Sequence, residues 1–126
     1  MNEEEIAKAI VNAAYRVHIE LGPGLLESTY EMCLLYELKS AGLQVSSQVK
    51  LPVIYRGVKL NCSYRIDLLV EQKVVIEIKT VNFLNEVHLA QTITYLKLSN
   101  CKLGLLINFN VGKIKDGIKR VINGYL

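Results

Sequence analysis

The chain has 126 residues, 51% of them hydrophobic, and carries 15 Lys and Arg against 12 Asp and Glu for a net charge of +3. That length suits one compact core and excludes two ordinary domains, so residues 1–126 are expected to form a single domain. The three cysteines cannot all pair and none has zinc-ligand spacing, no apolar stretch approaches membrane-spanning length, and the N-terminal Met1-Asn2-Glu3-Glu4-Glu5 is acidic where a secretory leader is basic. The expectation is a soluble protein of the reducing cytoplasm, with no membrane partner and a mild charge bias that permits an acidic one.

Asn2 followed by Glu5 has the form of a helix-capping box, and Ile6, Ile10, Ala13, Val17 and Leu21 then recur at helical spacing. Leu21-Gly22-Pro23-Gly24 should end this first helix. A second is predicted from Leu25 to Ala41 on the recurrence of Leu26, Tyr30, Cys33, Leu34 and Leu38, with Gly42 placed for a left-handed C-cap. The period then changes to two. Val49, Leu51, Val53 and Tyr55 alternate up to a hairpin turn at Arg56-Gly57, and a three-stranded meander is expected to follow. Asn85 to Ser99 returns to helical spacing, Lys102 to Phe109 reads as a buried strand, and Lys113 to Asn123 as a closing helix bearing Lys113, Lys115, Lys119 and Arg120. The predicted order is ααβββαβα: an α/β fold with a central mixed sheet and helices on both sides.

Within the meander, Asp67 and Glu77 interrupt the apolar runs 64–70 and 74–79, where an unpaired carboxylate is costly. If Glu71-Gln72-Lys73 is the loop, Val70 faces Val74 and Asp67 lies opposite Glu77, with like charges on one face. Lys79 joins them there, opposite Arg65, while Ile66, Leu68, Ile76 and Ile78 turn toward the core. A two-residue loop would move Glu77 to the other face and abolish the site. Two carboxylates suit a hard divalent ion such as Mg²⁺ or Mn²⁺ better than zinc. Such an ion holds phosphate oxygens and activates water, and a neighbouring lysine can orient that water or offset charge on phosphorus. Ion pairing of the two carboxylates with Arg65 and Lys79 is the structural alternative.

Asp67 with Glu77-Ile78-Lys79, set among strands with helices before and after, resembles the PD-(D/E)XK nuclease superfamily with its restriction-endonuclease-like fold. Gly24-Leu25-Leu26-Glu27-Ser28-Thr29-Tyr30 matches the GxxExxY signature of a small family of uncharacterised proteins assigned to that superfamily. Val17-His18, Leu21-Gly22-Pro23-Gly24, His88, Gln91, Tyr95 and Leu105-Leu106-Ile107-Asn108-Phe109 extend the resemblance over nearly the whole chain. It implies that Asp67 and Glu77 bind the metal, together with the Ile78 carbonyl, that Lys79 is catalytic, and that Glu27 is the additional acid from the helix before the sheet. Gln91 and Tyr95 match a QxxxY pattern that related nucleases carry. Ile66 stands where the name-giving proline would be.

The resulting catalytic candidates are Glu27, Asp67, Glu77, Lys79 and Gln91. The substrate-side candidates are Tyr30, Arg65, His88 and Tyr95. Each has a plainer reading: Glu27 as a helix-dipole partner, Tyr30 as a packing or hydrogen-bonding support, and the stripe His88, Gln91 and Tyr95 as a solvated helix face. His18 reads as a structural histidine. The expected function is Mg²⁺-dependent hydrolysis of phosphodiester bonds in DNA, with RNA as the alternative substrate and a homodimer as an admissible assembly. The rivals are an inactive nuclease-fold module that binds nucleic acid or protein, and a site for a small phosphorylated compound, for which no Walker-type loop is present.

Overall fold

The computed structural model describes residues 1–126, apart from the side chains of Cys62 and Ser63. Helix α1 (Glu3–Leu21) opens on the anticipated capping box: Asn2 Oδ1 accepts from the Glu5 amide at 2.9 Å and Glu5 Oε1 from the Asn2 amide at 3.0 Å. Its buried stripe is Ile6, Ile10, Ala13, Ala14 and Val17, and it stops at Gly22, whose φ of 65° an L-residue adopts only with strain. Helix α2 (Glu27–Ser40) begins at Leu26, which offers no capping side chain. Tyr30 stabilises that entry instead, donating its hydroxyl to the Gly22 carbonyl at 2.5 Å and accepting from the Leu25 amide at 3.2 Å. Its ring stacks on Phe109 at 4.5 Å between centroids, which ties the loop to the core.

Strands β1 (Val45–Tyr55) and β2 (Val58–Val70) form the long antiparallel hairpin, turning at Arg56 and Gly57 with φ of 51° and 77°. Two successive positive φ values mark the turn whose twist suits a two-residue hairpin. Strand β3 (Val74–Lys79) follows through Glu71-Gln72-Lys73, and Val70 pairs with Val74 in the anticipated register. Helix α3 (Glu86–Ser99) is capped by Asn85, strand β4 (Leu103–Asn108) runs parallel to β3, and a 3₁₀ turn (Ile114–Gly117) leads into β5 (Ile118–Ile122). The sheet order is β1-β2-β3-β4-β5, with β3–β4 the parallel pair in an otherwise antiparallel sheet.

Each face of the sheet has its own core. Leu68, Val70, Ile76, Ile78, Leu105 and Ile107 pack under α1 and α2, while Ile66, Leu69, Val75 and Leu106 pack with Tyr95 and Leu96 of α3. Gly104 lets α3 approach closely, since a Cβ there would lie 3.1 Å from Thr92 and 3.2 Å from Leu96.

The closing helix is corrected. Residues 118–122 pair antiparallel with β4, from Ile107↔Ile118 to Leu103↔Ile122, because β4 would otherwise leave a buried edge unpaired. Gly117 steers the chain there; a Cβ on it would meet the Asn108 carbonyl oxygen at 2.0 Å. The cations expected on one helical face are therefore dispersed, and Arg120 bonds Glu4 of α1 at 2.6 Å. Cys33 and Cys101 are free thiols, while Cys62 lies outside the described residues.

Candidate functional site

The β2–β3 ladder runs from Val70↔Val74 to Leu68↔Ile76 and then opens. Side chains take over where backbone pairing stops. The Asp67 amide donates to Glu77 Oε2 at 2.9 Å, and the Ile78 amide donates to Asp67 Oδ2 at 2.8 Å. Each carboxylate thus fills a main-chain position on the opposite strand, so that no buried amide is orphaned at the split. On the outer side of β2, Gln48 of β1 has φ of 52° and no ladder partner, between Ser47↔Leu68 and Val49↔Ile66.

That split corrects the flat geometry inferred from alternation. Asp67 and Glu77 are joined by reciprocal side-chain-to-backbone bonds rather than standing opposed on a polar face. Ile66 lies in the core beneath α3 while Leu68, Ile76 and Ile78 lie in the other, because β2 changes its facing at Asp67. Arg65 pairs in register with Lys50 of β1, not with Lys79, and is exposed. Among the described residues the salt bridges are Arg16–Glu37 and Arg120–Glu4, so ion pairing does not account for either carboxylate.

Burial sets the electrostatics. Glu77 is 3% exposed, and desolvation, then the charge of Asp67, push its carboxyl from 4.5 up to about 8 against the lowering effects of the Asp67 amide and Lys79. Asp67 is raised too, by desolvation first, with Glu27 adding to the shift and the Ile78 amide and Lys79 opposing it. Lys79 Nζ donates to Gln91 Oε1 at 2.9 Å, which holds the ammonium between strand and α3. Tyr95, one turn further along α3, is buried; desolvation and then the charges of Glu77 and Asp67 raise its phenol. Its ring meets Tyr64 edge-on at 6.1 Å.

The other candidates separate. Glu27 is exposed at the start of α2, close enough for its charge to act on Asp67. Tyr30 is fully buried and occupied by Gly22, Leu25 and Phe109, which leaves no surface for a substrate. His88 caps α3, its Nδ1 accepting from the Asn85 amide at 3.1 Å. His18 Nε2 bonds the Val111 carbonyl at 2.8 Å, away from the carboxylates.

Sequence reasoning missed Glu31 and Gln48. Glu31 lies within hydrogen-bonding reach of Asp67, its carboxyl is raised chiefly by desolvation, and Gln48 Nε2 donates to both of its oxygens at 2.8 and 3.0 Å. The signal for Glu31 was available: it follows Glu27 by four residues, on the same helical face. Nothing in the strand pattern marks Gln48. Among the described residues no group of three or more His, Cys, Asp or Glu side chains is gathered to hold a metal ion.

Asn108 closes the floor. It is 2% exposed, its Oδ1 accepts from the Val81 amide at 3.1 Å and its Nδ2 donates to the Val81 carbonyl at 2.9 Å, which pins the chain leaving Lys79.

Comparison with known proteins agrees with this architecture. The crystal structure of SSO0001 is similar over 98% of this chain, with a TM-score of 0.57 and 23% identity, a likeness of fold. The chain spans 60% of the length of that protein. No curated protein matches. The profile of the PD-(D/E)XK nuclease superfamily matches residues 4–121, nearly the full length, and the chain belongs to that superfamily.

Proposed function

We propose that the protein is a Mg²⁺- or Mn²⁺-dependent nuclease hydrolysing phosphodiester bonds of DNA, with Asp67, Glu77, Lys79 and Gln91 as its working residues. The observation that carries this is the pair of desolvated carboxylates, both raised and neither ion-paired, with Lys79 beside them. Each has one oxygen on a backbone amide, and Asp67 is also met by the Gln48 and Glu31 side chains. That oxygen-only donor set fits a hard divalent ion, which would be held by Asp67, Glu77 and the Ile78 carbonyl. When bound, it supplies Lewis acidity at phosphate oxygen and a more acidic water.

The chain's own residues do the rest. Lys79, fixed by Gln91, presents an ammonium to the attacking water or to charge developing on the phosphoryl oxygens. Desolvation raises the Asp67 carboxyl and Glu27 adds to that from α2, Asp67 in turn adds to the rise of Glu31, and Tyr95 is buried on the α3 side. A second reading, a module that binds nucleic acid without cutting it, draws on the lack of a three-donor cluster among the described residues.

The test incubates plasmid, single-stranded DNA and RNA with wild type, Asp67→Asn and Lys79→Gln, in Mg²⁺, Mn²⁺ or EDTA. Cleavage by wild type alone, dependent on the cation, is the expected result. Cleavage that persists in EDTA or equally in both variants refutes the assignment, and salt-sensitive binding without any cleavage favours the module.

A further inference from the structure

The residues 45–66 contain Lys50, Arg56, Lys59 and Arg65 and no Asp or Glu, while the rest of the chain holds 11 Lys and Arg against 12 Asp and Glu. The net positive charge of the protein therefore resides in one hairpin. All four cations are exposed, and among the described residues none has an ion-pair partner. Apolar and aromatic side chains are interleaved with them: Ile54, Tyr55 and Val58 are 61, 58 and 57% exposed, and the Arg56 guanidinium lies 5.6 Å from the Tyr55 ring centroid. Residues that point into water on both sides of a two-stranded ribbon do not contribute to a core.

At its base the hairpin meets the candidate site. Arg65 is two residues from Asp67, and Tyr64 lies against Tyr95, whose neighbour Gln91 holds Lys79. From Asp67 to the turn at Val58 the strand extends about 30 Å at roughly 3.3 Å per residue. A nucleic-acid duplex advances about 3.4 Å per base pair, so this reach matches roughly nine steps of a polyanion.

We propose that the β1–β2 hairpin is the arm that holds nucleic acid, its cations tracking the phosphodiester backbone away from the carboxylates and Tyr55 offering a stacking face. This rests on the nuclease reading for the direction of the strand, though not for binding itself. A second copy of the chain is the competing occupant, and β1 is poorly made for it. Pro52 lacks an amide, the register shifts between Leu51 and Val53, and Gln48 has a left-handed backbone, so this edge cannot present a continuous ladder. Lys50 adds charge to the same edge.

The test measures fluorescence anisotropy of a labelled single strand and its duplex in EDTA over a salt series. The arm triple is Lys50→Gln, Arg56→Gln and Lys59→Gln; the charge-matched control is Lys8→Gln, Lys115→Gln and Lys119→Gln, on the groove of about 540 Å³ between α1 and β5. The arm triple is expected to flatten the log–log salt dependence by about 2 to 3 and to weaken binding more than tenfold at low salt, with the control near wild type. Tyr55→Ala should weaken the single strand more than the duplex if bases stack there. Equal losses in the two triples, no loss in the arm triple, or no nucleic-acid binding by wild type overturns the proposal. So does an arm triple that changes only sedimentation, from dimer to monomer. Cleavage is assayed separately in Mg²⁺: arm-dependent binding without cleavage leaves the arm standing and removes the nuclease reading, while cleavage with arm-independent binding does the reverse.

Discussion

Replacing Glu77 by Gln removes a buried ionisable group while keeping an oxygen to accept from the Asp67 amide. Glu77 is 3% exposed and its carboxyl is raised from 4.5 to about 8, so folding takes up a proton between those values. The sign follows: the native state binds more protons than the unfolded one in that window, and stability falls as pH rises through it. At about 1.4 kcal/mol per pH decade, the burden is about 1 kcal/mol at pH 5, about 4 kcal/mol at pH 8, and close to its full value above pH 9. Urea denaturation of wild type and Glu77→Gln across this range, without divalent ions, should give curves that lie close together at pH 5 and diverge by about 4 kcal/mol at pH 8, the variant being the more stable. Saturating Mg²⁺ should raise wild type at pH 8 and leave the variant nearly unmoved. Parallel curves for the two proteins from pH 5 to 9 would refute the reasoning that the carboxyl is held neutral by burial.

Tyr30→Phe should lose about 1 to 3 kcal/mol of stability in the same denaturation experiment, with nucleic-acid affinity unchanged, because its hydroxyl serves Gly22 and Leu25 alone. Gly117→Ala should cost about 3 kcal/mol, read as a lowered midpoint, since a Cβ there would meet the Asn108 carbonyl at 2.0 Å. Gln91→Leu should lower kcat about tenfold with KM nearly constant, as expected of a residue that positions Lys79 rather than binding substrate; a change confined to KM would count against that role.

Much of the fold was legible because local signals agreed with the tertiary outcome. The Asn2–Glu5 capping box, the Arg56-Gly57 turn and the Glu71-Gln72-Lys73 loop each fix an end or a register from a few residues. The last element failed for the converse reason. Residues 113–123 carry cations at spacings that fit a helix, and only the unpaired edge of β4, a partner distant in sequence, selects a strand. At the site, register put Asp67 near Glu77, and the QxxxY pattern pointed to Gln91. Period-two alternation could not reveal that the ladder opens at Asp67, since the opening depends on side chains replacing backbone partners. It also hid Gln48, which matters through a left-handed backbone that no composition rule assigns to glutamine.

The reciprocal bonds at the split make the candidate chemistry and the scaffold inseparable. Asp67 and Glu77 are structural acceptors for the Ile78 and Asp67 amides as well as candidate ligands. An alanine at either place would therefore strip an amide of its partner as it removed a charge, and a silent mutant would report unzipping of the sheet as readily as lost catalysis. Asn and Gln keep an acceptor, so a loss of cleavage in those variants would report on the missing charge, with the split in the ladder still bridged by side chains.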